Sequence, residues 1–446
     1  MPVVEFVGQS ARDQDNITAD PSRLVNLYRE RAGTGTAWLK SVPGEERIAT
    51  LPDLFITAMG NVLGELYVVC NARLYRVAQD GSFHDLGAVA GGNATIAGNN
   101  GYVCVQAGQR YFTYEISTGT LTEPAAGAFS GFGSCDFVDN YTVLTEAGGR
   151  LFQWSKLADP TDLPGLNFAR AEGRDDNLVR AFGLHGQLYL FKERSHEIWF
   201  NTGGAGAEAF LRVTGGVKDV GLLGHGLICR FPGGAFMVGS DNRAHLVGPG
   251  VLQPVSTPAV ETAIKLGNPV CCVNYEDEGH TFCAIVFRDQ PAWVYDIATG
   301  EWHERASGVD LSPWRATASA RLGTDWVIGN DAGEVLALRR SNVDAAGPLV
   351  REATSRTLYL DGARPILREL EFFVRQGFSA AEILLSVSRD GGITWTPWKQ
   401  RPISEQGEYG RRVIWRQLGQ ARQVTVKVRV TDALEAPLSS QARITL

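Results

Sequence analysis

The residues best suited to chemistry at a fixed spacing are Ser388-Arg389-Asp390-Gly391-Gly392-Ile393-Thr394-Trp395, which match the pattern S-x-D-x-G-x-T-W. That spacing builds a hairpin turn. Asp390 accepts hydrogen bonds from turn amides, Gly392 supplies a positive φ, Ser388 and Thr394 add hydroxyls, and Trp395 packs beneath the turn. The pattern is structural chemistry and supplies neither a nucleophile nor an acid.

Other catalytic patterns are missing from the sequence. It contains no G-x-S-x-G elbow, no H-E-x-x-H pair and no G-x-x-x-x-G-K-[ST] phosphate loop. The seven histidines, His84, His185, His196, His225, His245, His280 and His303, never stand two or four residues apart, so none forms a local metal pair. Gly203-Gly204-Ala205-Gly206-Ala207 has the glycine content of a phosphate loop, but Glu208 follows and no amphipathic helix does. It reads as a hairpin tip. Asp175-Asp176 are adjacent carboxylates, yet glycosidase chemistry depends on separation in space, which sequence does not give. The seven cysteines lack C-x-x-C spacing and lie mostly in apolar runs such as Tyr102-Val103-Cys104-Val105, the pattern of buried free thiols from a reducing cytoplasm. Catalytic, cofactor and metal sites are therefore all expected to be absent.

The elements that must carry the turn are strands. The chain has 446 residues, 44% apolar and 20% charged, which provides ample core material and argues against disorder. Its 51 glycines are dispersed, as many tight turns between short strands require. Apolar runs such as Leu66-Tyr67-Val68-Val69 recur, and no long run has sustained helical spacing, so the expected fold is all-β. No segment reaches the ~18–20 apolar residues needed to cross a bilayer, and the N-terminus lacks a secretory pattern; no membrane anchor is expected.

Between residues 51 and 345 a unit of strand, turn, strand recurs, as in Glu65 to Val77, Tyr141 to Trp154 and Asp325 to Leu338. Strand centres near Tyr67, Val103, Val143, Tyr189, Phe236, Cys283 and Trp326 lie ~40–50 residues apart, the period of propeller blades. This predicts a β-propeller of six or seven blades, seven being slightly favoured by the count, with a large β-sandwich stack as the alternative because the repeats carry no WD or kelch signature. Residues 1–50 read as an N-terminal extended arm: polar from Asp13 to Asp20, then apolar at Val25-Asn26-Leu27-Tyr28, with a Gly33-Thr34-Gly35-Thr36 turn. The arm is expected to pack on the C-terminal domain. A linker is expected at Asp344 to Pro348. Residues 346–446 carry strongly alternating strands, including Val424 to Val430, and predict a C-terminal antiparallel β-sandwich-like domain.

Net charge is −7 and uneven. Residues 346–446 hold 15 Lys+Arg against 10 Asp+Glu, leaving 27 against 39 in the remainder. An acidic body is the opposite of a nucleic-acid-gripping profile. The basic tail alternates with acids, which fits a solvated face or a subunit contact.

Three segments together resemble the short-tailed bacteriophage tail nozzle, or packaged-DNA stabilisation, family. They are Ser22 to Glu30 followed by Leu39-Lys40-Ser41-Val42-Pro43-Gly44, then Trp154 to Glu172, and finally Leu385 to Gly392 with Arg411 to Gly419. The resemblance implies a structural protein of the virion tail, made in the host bacterial cytoplasm and assembled as a homohexameric ring. That ring would close the head–tail channel, retain packaged double-stranded DNA and conduct it during ejection without sequence-specific binding. Its neighbours would be a portal or head–tail adaptor above and tail fibre or needle proteins below, with Arg411, Arg412 and Trp415 as candidate subunit contacts. The competing reading is a propeller glycan hydrolase or lectin acting on host surface polysaccharide, because the Asp390 motif also occurs in sialidase-like propellers.

Overall fold

In the computed structural model the described residues are all except 1–2, 12–20, 32–36, 205, 346, 361–364, 378–380, 434–437 and 446. The polar stretch expected at Asp13 to Asp20 and the turn expected at Gly33 to Thr36 lie outside them.

Seven four-stranded antiparallel units follow one another in the chain, each starting with an inner strand: Ile56–Val62, Ala94–Asn99, Phe132–Val138, Leu178–Leu184, Ile228–Phe231, Pro269–Asp277 and Ala316–Leu322. All seven strand centres read from the sequence fall in the second strand of their blade. The reason is burial. A second strand lies between neighbouring blades on both faces, so Glu65–Cys70 and Tyr102–Ala107 are buried along almost their whole length and read as continuous apolar runs. In five blades the first hairpin turns on two residues that both have positive φ, for example Asn100 (46°) and Gly101 (82°), matching the twist of the strands. A register shift also recurs at the start of five inner strands, as between Ile56 and Ala58 and between Ala316 and Ala318. The repeat thus survives in the backbone where it is faint in sequence.

Neighbouring inner strands approach closely because small residues face large ones. A Cβ on Gly98 would meet Val62 Cγ1 at 2.7 Å, and one on Gly183 would meet the Phe137 carbonyl at 2.3 Å.

The seventh blade takes its outer strand from the other end of the chain. Gly44–Thr50 pairs antiparallel with Glu334–Arg339, with Ala337 opposite Glu46. This strand lies within residues 1–50, which the sequence reads as the arm. Its polar Glu45-Glu46-Arg47 stretch hides the strand because an edge strand needs only one apolar face. Pairing two distant chain segments in one blade closes the ring without leaving a raw edge.

The rest of the arm joins the C-terminal strands. Val3–Glu5 and Ala37–Ser41 both pair with Leu438–Thr445, in a sheet that also holds Leu27–Arg31, Ile366–Val374 and Val413–Gln420. The facing sheet contains Arg351–Thr354, Gln423–Val430, Ala381–Ser388 and Lys399–Ser404. Leu24, Leu39, Ile383, Leu385, Trp415 and Val426 are among the residues filling the space between the two sheets. On Gln423–Val430 the valines at 424, 426, 428 and 430 point inward while Lys427 and Arg429 are partly exposed, the alternation of a strand with one wet face. In place of a plain linker, Val343–Asp344 and Gly347–Pro348 form a short hairpin.

Propeller and sandwich share one sheet. The sixth blade continues from Glu301–Ser307 through Arg23–Val25 into Arg351–Thr354 and on to Lys399–Ser404, eleven strands in all. Arg23–Val25 bridges them, parallel to the blade (Val25 opposite Glu304) and antiparallel to Arg351–Thr354.

One helix was not foreseen. Pro258–Leu266 lies between the fifth and sixth blades and buries Ala259, Val260, Ala263 and Ile264. At nine residues it is too short to show up as a sustained helical period.

Candidate functional site

The Asp390 turn is built as its residue types dictate. One Asp390 carboxylate oxygen accepts the Ile393 and Thr394 amides at 3.1 and 2.9 Å and the Ser388 hydroxyl at 2.6 Å, while Thr394 Oγ1 donates to the other. Gly392 N–H donates to Ser388 Oγ at 2.8 Å, and Trp395 Nε1 donates to the Gly392 carbonyl at 3.0 Å. Gly392 has φ 96°, and a Cβ there would meet Pro21 Cβ at 3.3 Å, so the turn lies against the arm. The hydrogen bonds from Ser388 and Thr394 pull the Asp390 carboxyl down to about 2. Trp395 lies under the Lys427 ammonium, 4.2 Å from its ring centroid.

The three candidate subunit contacts separate. Trp415 is fully buried in the sandwich core, stacked edge-on against Phe372, with its indole N–H donated to the Lys399 carbonyl at 2.8 Å. It has no surface to offer a neighbour, which corrects that reading; an isolated Trp in a strand looks the same whether it faces core or partner. Arg412 is half-exposed and pairs with Glu371 at 2.7 Å and Glu369 at 3.1 Å. Arg411 pairs with Glu408 at 2.9 Å.

The adjacent carboxylates part company as well. Asp175 is exposed and pairs with Arg150. Asp176 is buried and accepts from the Arg194 amide (2.8 Å) and the Ser195 hydroxyl (2.9 Å), with Lys192 Nζ at 3.1 Å. Burial pushes the Asp176 carboxyl up, but these partners outweigh it and the net shift is downward. Lys192 also donates to the Ala171 carbonyl at 3.0 Å. The group is a closed structural knot with every member occupied. Among the described residues no cluster of three or more His, Cys, Asp or Glu is arranged to hold a metal. Burial raises the thiols of Cys70, Cys104, Cys135, Cys271, Cys272 and Cys283, making them inert rather than nucleophilic.

The junction itself is a dense polar site that no sequence motif marks. Asn26, at φ 56°, is buried; its side-chain nitrogen donates to the Ala306 and Val350 carbonyls at 3.0 and 2.8 Å, and its oxygen accepts the Ala306 amide at 3.0 Å. Arg23 grips Glu304 through Nε at 2.8 and 2.9 Å, and Ser10 Oγ accepts the Leu24 amide at 2.7 Å. Beside them, Arg305 is buried over the Trp314 ring (4.3 Å), donates to the Pro43 carbonyl at 2.9 Å and pairs with buried Glu45 at 3.3 Å. Trp314 Nε1 also donates to Glu45. The signal available in sequence was an Asn inside the apolar run Leu24-Val25-Asn26-Leu27-Tyr28.

Along the propeller axis the inner strands surround a cavity of about 1270 Å³. A seven-residue strand is about 23 Å long, so the mean passage is on the order of 10 Å wide. A DNA duplex, whose major groove alone is about 12 Å across, does not fit through it.

Comparisons with known proteins agree in extent with this architecture. A family model described as "Bacteriophage P22 Gp10, beta-propeller" matches residues 1–341, and one described as "Bacteriophage P22 Gp10, beta-sandwich" matches residues 351–445. No curated protein matches. Solved structures with similar coordinates include a computationally designed protein, Ika8, at 13% identity, covering 66% of this chain and 99% of that one, with a TM-score of 0.40. A chain of the mitotic checkpoint complex is 12% identical over 67% of this chain and 92% of that one, with a TM-score of 0.48. The RRP9 WD40 repeats are 10% identical over 67% and 99%, also with a TM-score of 0.48.

Proposed function

The chain belongs to the bacteriophage P22 Gp10 family, non-catalytic structural proteins of the phage tail that stabilise packaged DNA, and from that premise we propose that it is the subunit of a tail nozzle ring. Six copies surround the exit channel, hold it closed while the head is full, and conduct the genome during ejection. The observation that carries this reading is the eleven-stranded sheet running from the sixth blade into the sandwich. Continuous backbone hydrogen bonding makes propeller and sandwich one body, as a ring under load requires.

The DNA path lies between subunits. The axial cavity is too narrow for a duplex, so the conduit is the hole of the ring and the blades form its wall. An acidic body suits such a wall, because each phosphate gripped by a cation would hold back a strand that has to slide. The portal or adaptor sits above and fibre or needle proteins below, with Arg411 and Arg412 able to exchange their own carboxylate partners for a neighbour's. In the same reading the chain divides into an arm, a propeller and a C-terminal sandwich, the arm serving as the strap between the other two. The protein is made in the host cytoplasm and joins the tail there.

Electron microscopy of the purified protein and of the virion tests the ring. Six-fold rings below the head support the reading; a protein that stays monomeric in solution and is absent from the tail contradicts it.

A further inference from the structure

The axial cavity carries more cation than its own carboxylates neutralise. Arg180, Arg230, Arg288 and Arg315 line it, with Asp136 and Asp331 as the facing acids. Asp331 is taken by Arg315 at 2.7 Å and Asp136 by Arg230 at 2.5 Å. Arg180 and Arg288 have no ion-pair partner among the described residues. Arg180 donates through one terminal nitrogen to the His225 carbonyl at 3.0 Å, and its Nε is buried without a partner. The Arg180 and Arg230 guanidinium groups both stand against the Phe182 ring, 5.8 and 4.4 Å from its centroid, so two cations share one carboxylate there. Burial and the nearby Arg180 hold His225 down to about 3, so the imidazole is neutral and the local charge comes from arginine.

A partly buried guanidinium whose Nε meets neither solvent nor a partner is costly to leave so, and its planar fork matches an oxyanion. We propose that the axial cavity of the propeller is a binding site for a small multivalent oxyanion, held by Arg180 and Arg230 beside Phe182, with Arg288 on the same lining. The cavity is wide enough for such an anion and too narrow for a duplex, so this site is independent of the DNA path and of the ring.

The test is calorimetric titration of the full chain with pyrophosphate and, separately, with citrate, at an ionic strength fixed with sodium chloride. Saturable binding of one anion per chain is expected from at least one of the two. Pyrophosphate alone identifies a phosphate ligand, citrate alone a carboxylate, and both a site that reads charge and size. Arg180→Met should weaken binding by about tenfold or more, the value of a charge-assisted hydrogen bond, with the circular dichroism spectrum unchanged. Arg288→Gln, a change at an exposed position, should weaken it severalfold. No binding of either anion above the chloride background would overturn the proposal, and so would full affinity in a folded Arg180→Met protein. If Arg180→Met does not fold, unchanged affinity in Arg288→Gln overturns it instead.

Discussion

Asn26 and Ala306 bond to each other twice, the Asn26 side chain donating to the Ala306 carbonyl and accepting the Ala306 amide, both at 3.0 Å. This is the exchange a strand neighbour would make, performed by a side chain. It lets the backbone of residue 26 turn at positive φ, from the strand Arg23–Val25 in one sheet to Leu27–Arg31 in the other, while the sixth blade stays satisfied. The third bond, to the Val350 carbonyl at 2.8 Å, ties in the start of the C-terminal chain.

Asn26→Asp should therefore destabilise the protein strongly. It replaces two donated bonds with a buried carboxylate facing two carbonyls, and each buried carbonyl left without a donor costs about 1–3 kcal/mol. Urea unfolding followed by intrinsic Trp fluorescence should show a clearly lowered midpoint. An unchanged midpoint would mean that the junction is not held at Asn26.

Arg305 and Glu45 lie in one buried ion pair between the sixth blade and the closing strand of the seventh. Arg305→Met alone strands Glu45 and should cost about 3–5 kcal/mol. The double variant Arg305→Met, Glu45→Gln removes both charges and should be the more stable of the two. Guanidinium unfolding of both proteins decides it. A double variant weaker than the single one would show that Glu45 is not stranded without Arg305 and is held by Trp314 instead.

Much of this architecture is visible in the sequence, and the unread parts share a cause. The second strand of each blade is buried on both faces, so Tyr67, Val103 and Phe236 sit in apolar runs that count the blades one by one. The closing strand escapes because Glu45, Glu46 and Arg47 read as a loop: the partners of buried Glu45, Arg305 and Trp314, lie some 260 residues away. Trp415 reads as a surface contact for the converse reason: no local pattern connects it to the facing sheet that covers it, where the Lys399 carbonyl takes its indole N–H. The Asp390 turn was legible because all its bonds are local.

At the Asp390 turn, Asp390→Ala should lower stability by about 1–2 kcal/mol through the lost turn hydrogen bonds. The carboxyl is held down to about 2, below its ordinary 3.8. A depressed carboxyl contributes stability that is complete above the ordinary value and lost as pH falls through the folded one. Wild type should therefore lose this contribution between about pH 4 and pH 2, and Asp390→Ala should show a shallower decline over that window. Parallel melting curves in acid, without the difference, would show that the turn does not depend on the charge.

Trp415→Ala should cost about 3–5 kcal/mol, as a large aromatic removed from a packed core does. Arg412→Ala, at a half-exposed ion pair, should leave the isolated subunit's stability nearly unchanged but shift the protein from ring to monomer in sedimentation velocity. An Arg412→Ala protein that assembles as well as wild type would remove this arginine from the subunit contact.

Retention of the genome by the proposed ring is read in a phage from which the gene is deleted, by counting DNA-filled particles over time in the electron microscope. Heads should fill and then empty, with incomplete tails, and filled heads should recover when the protein is supplied in trans. Heads that stay filled on normal tails in the deletion strain would contradict it.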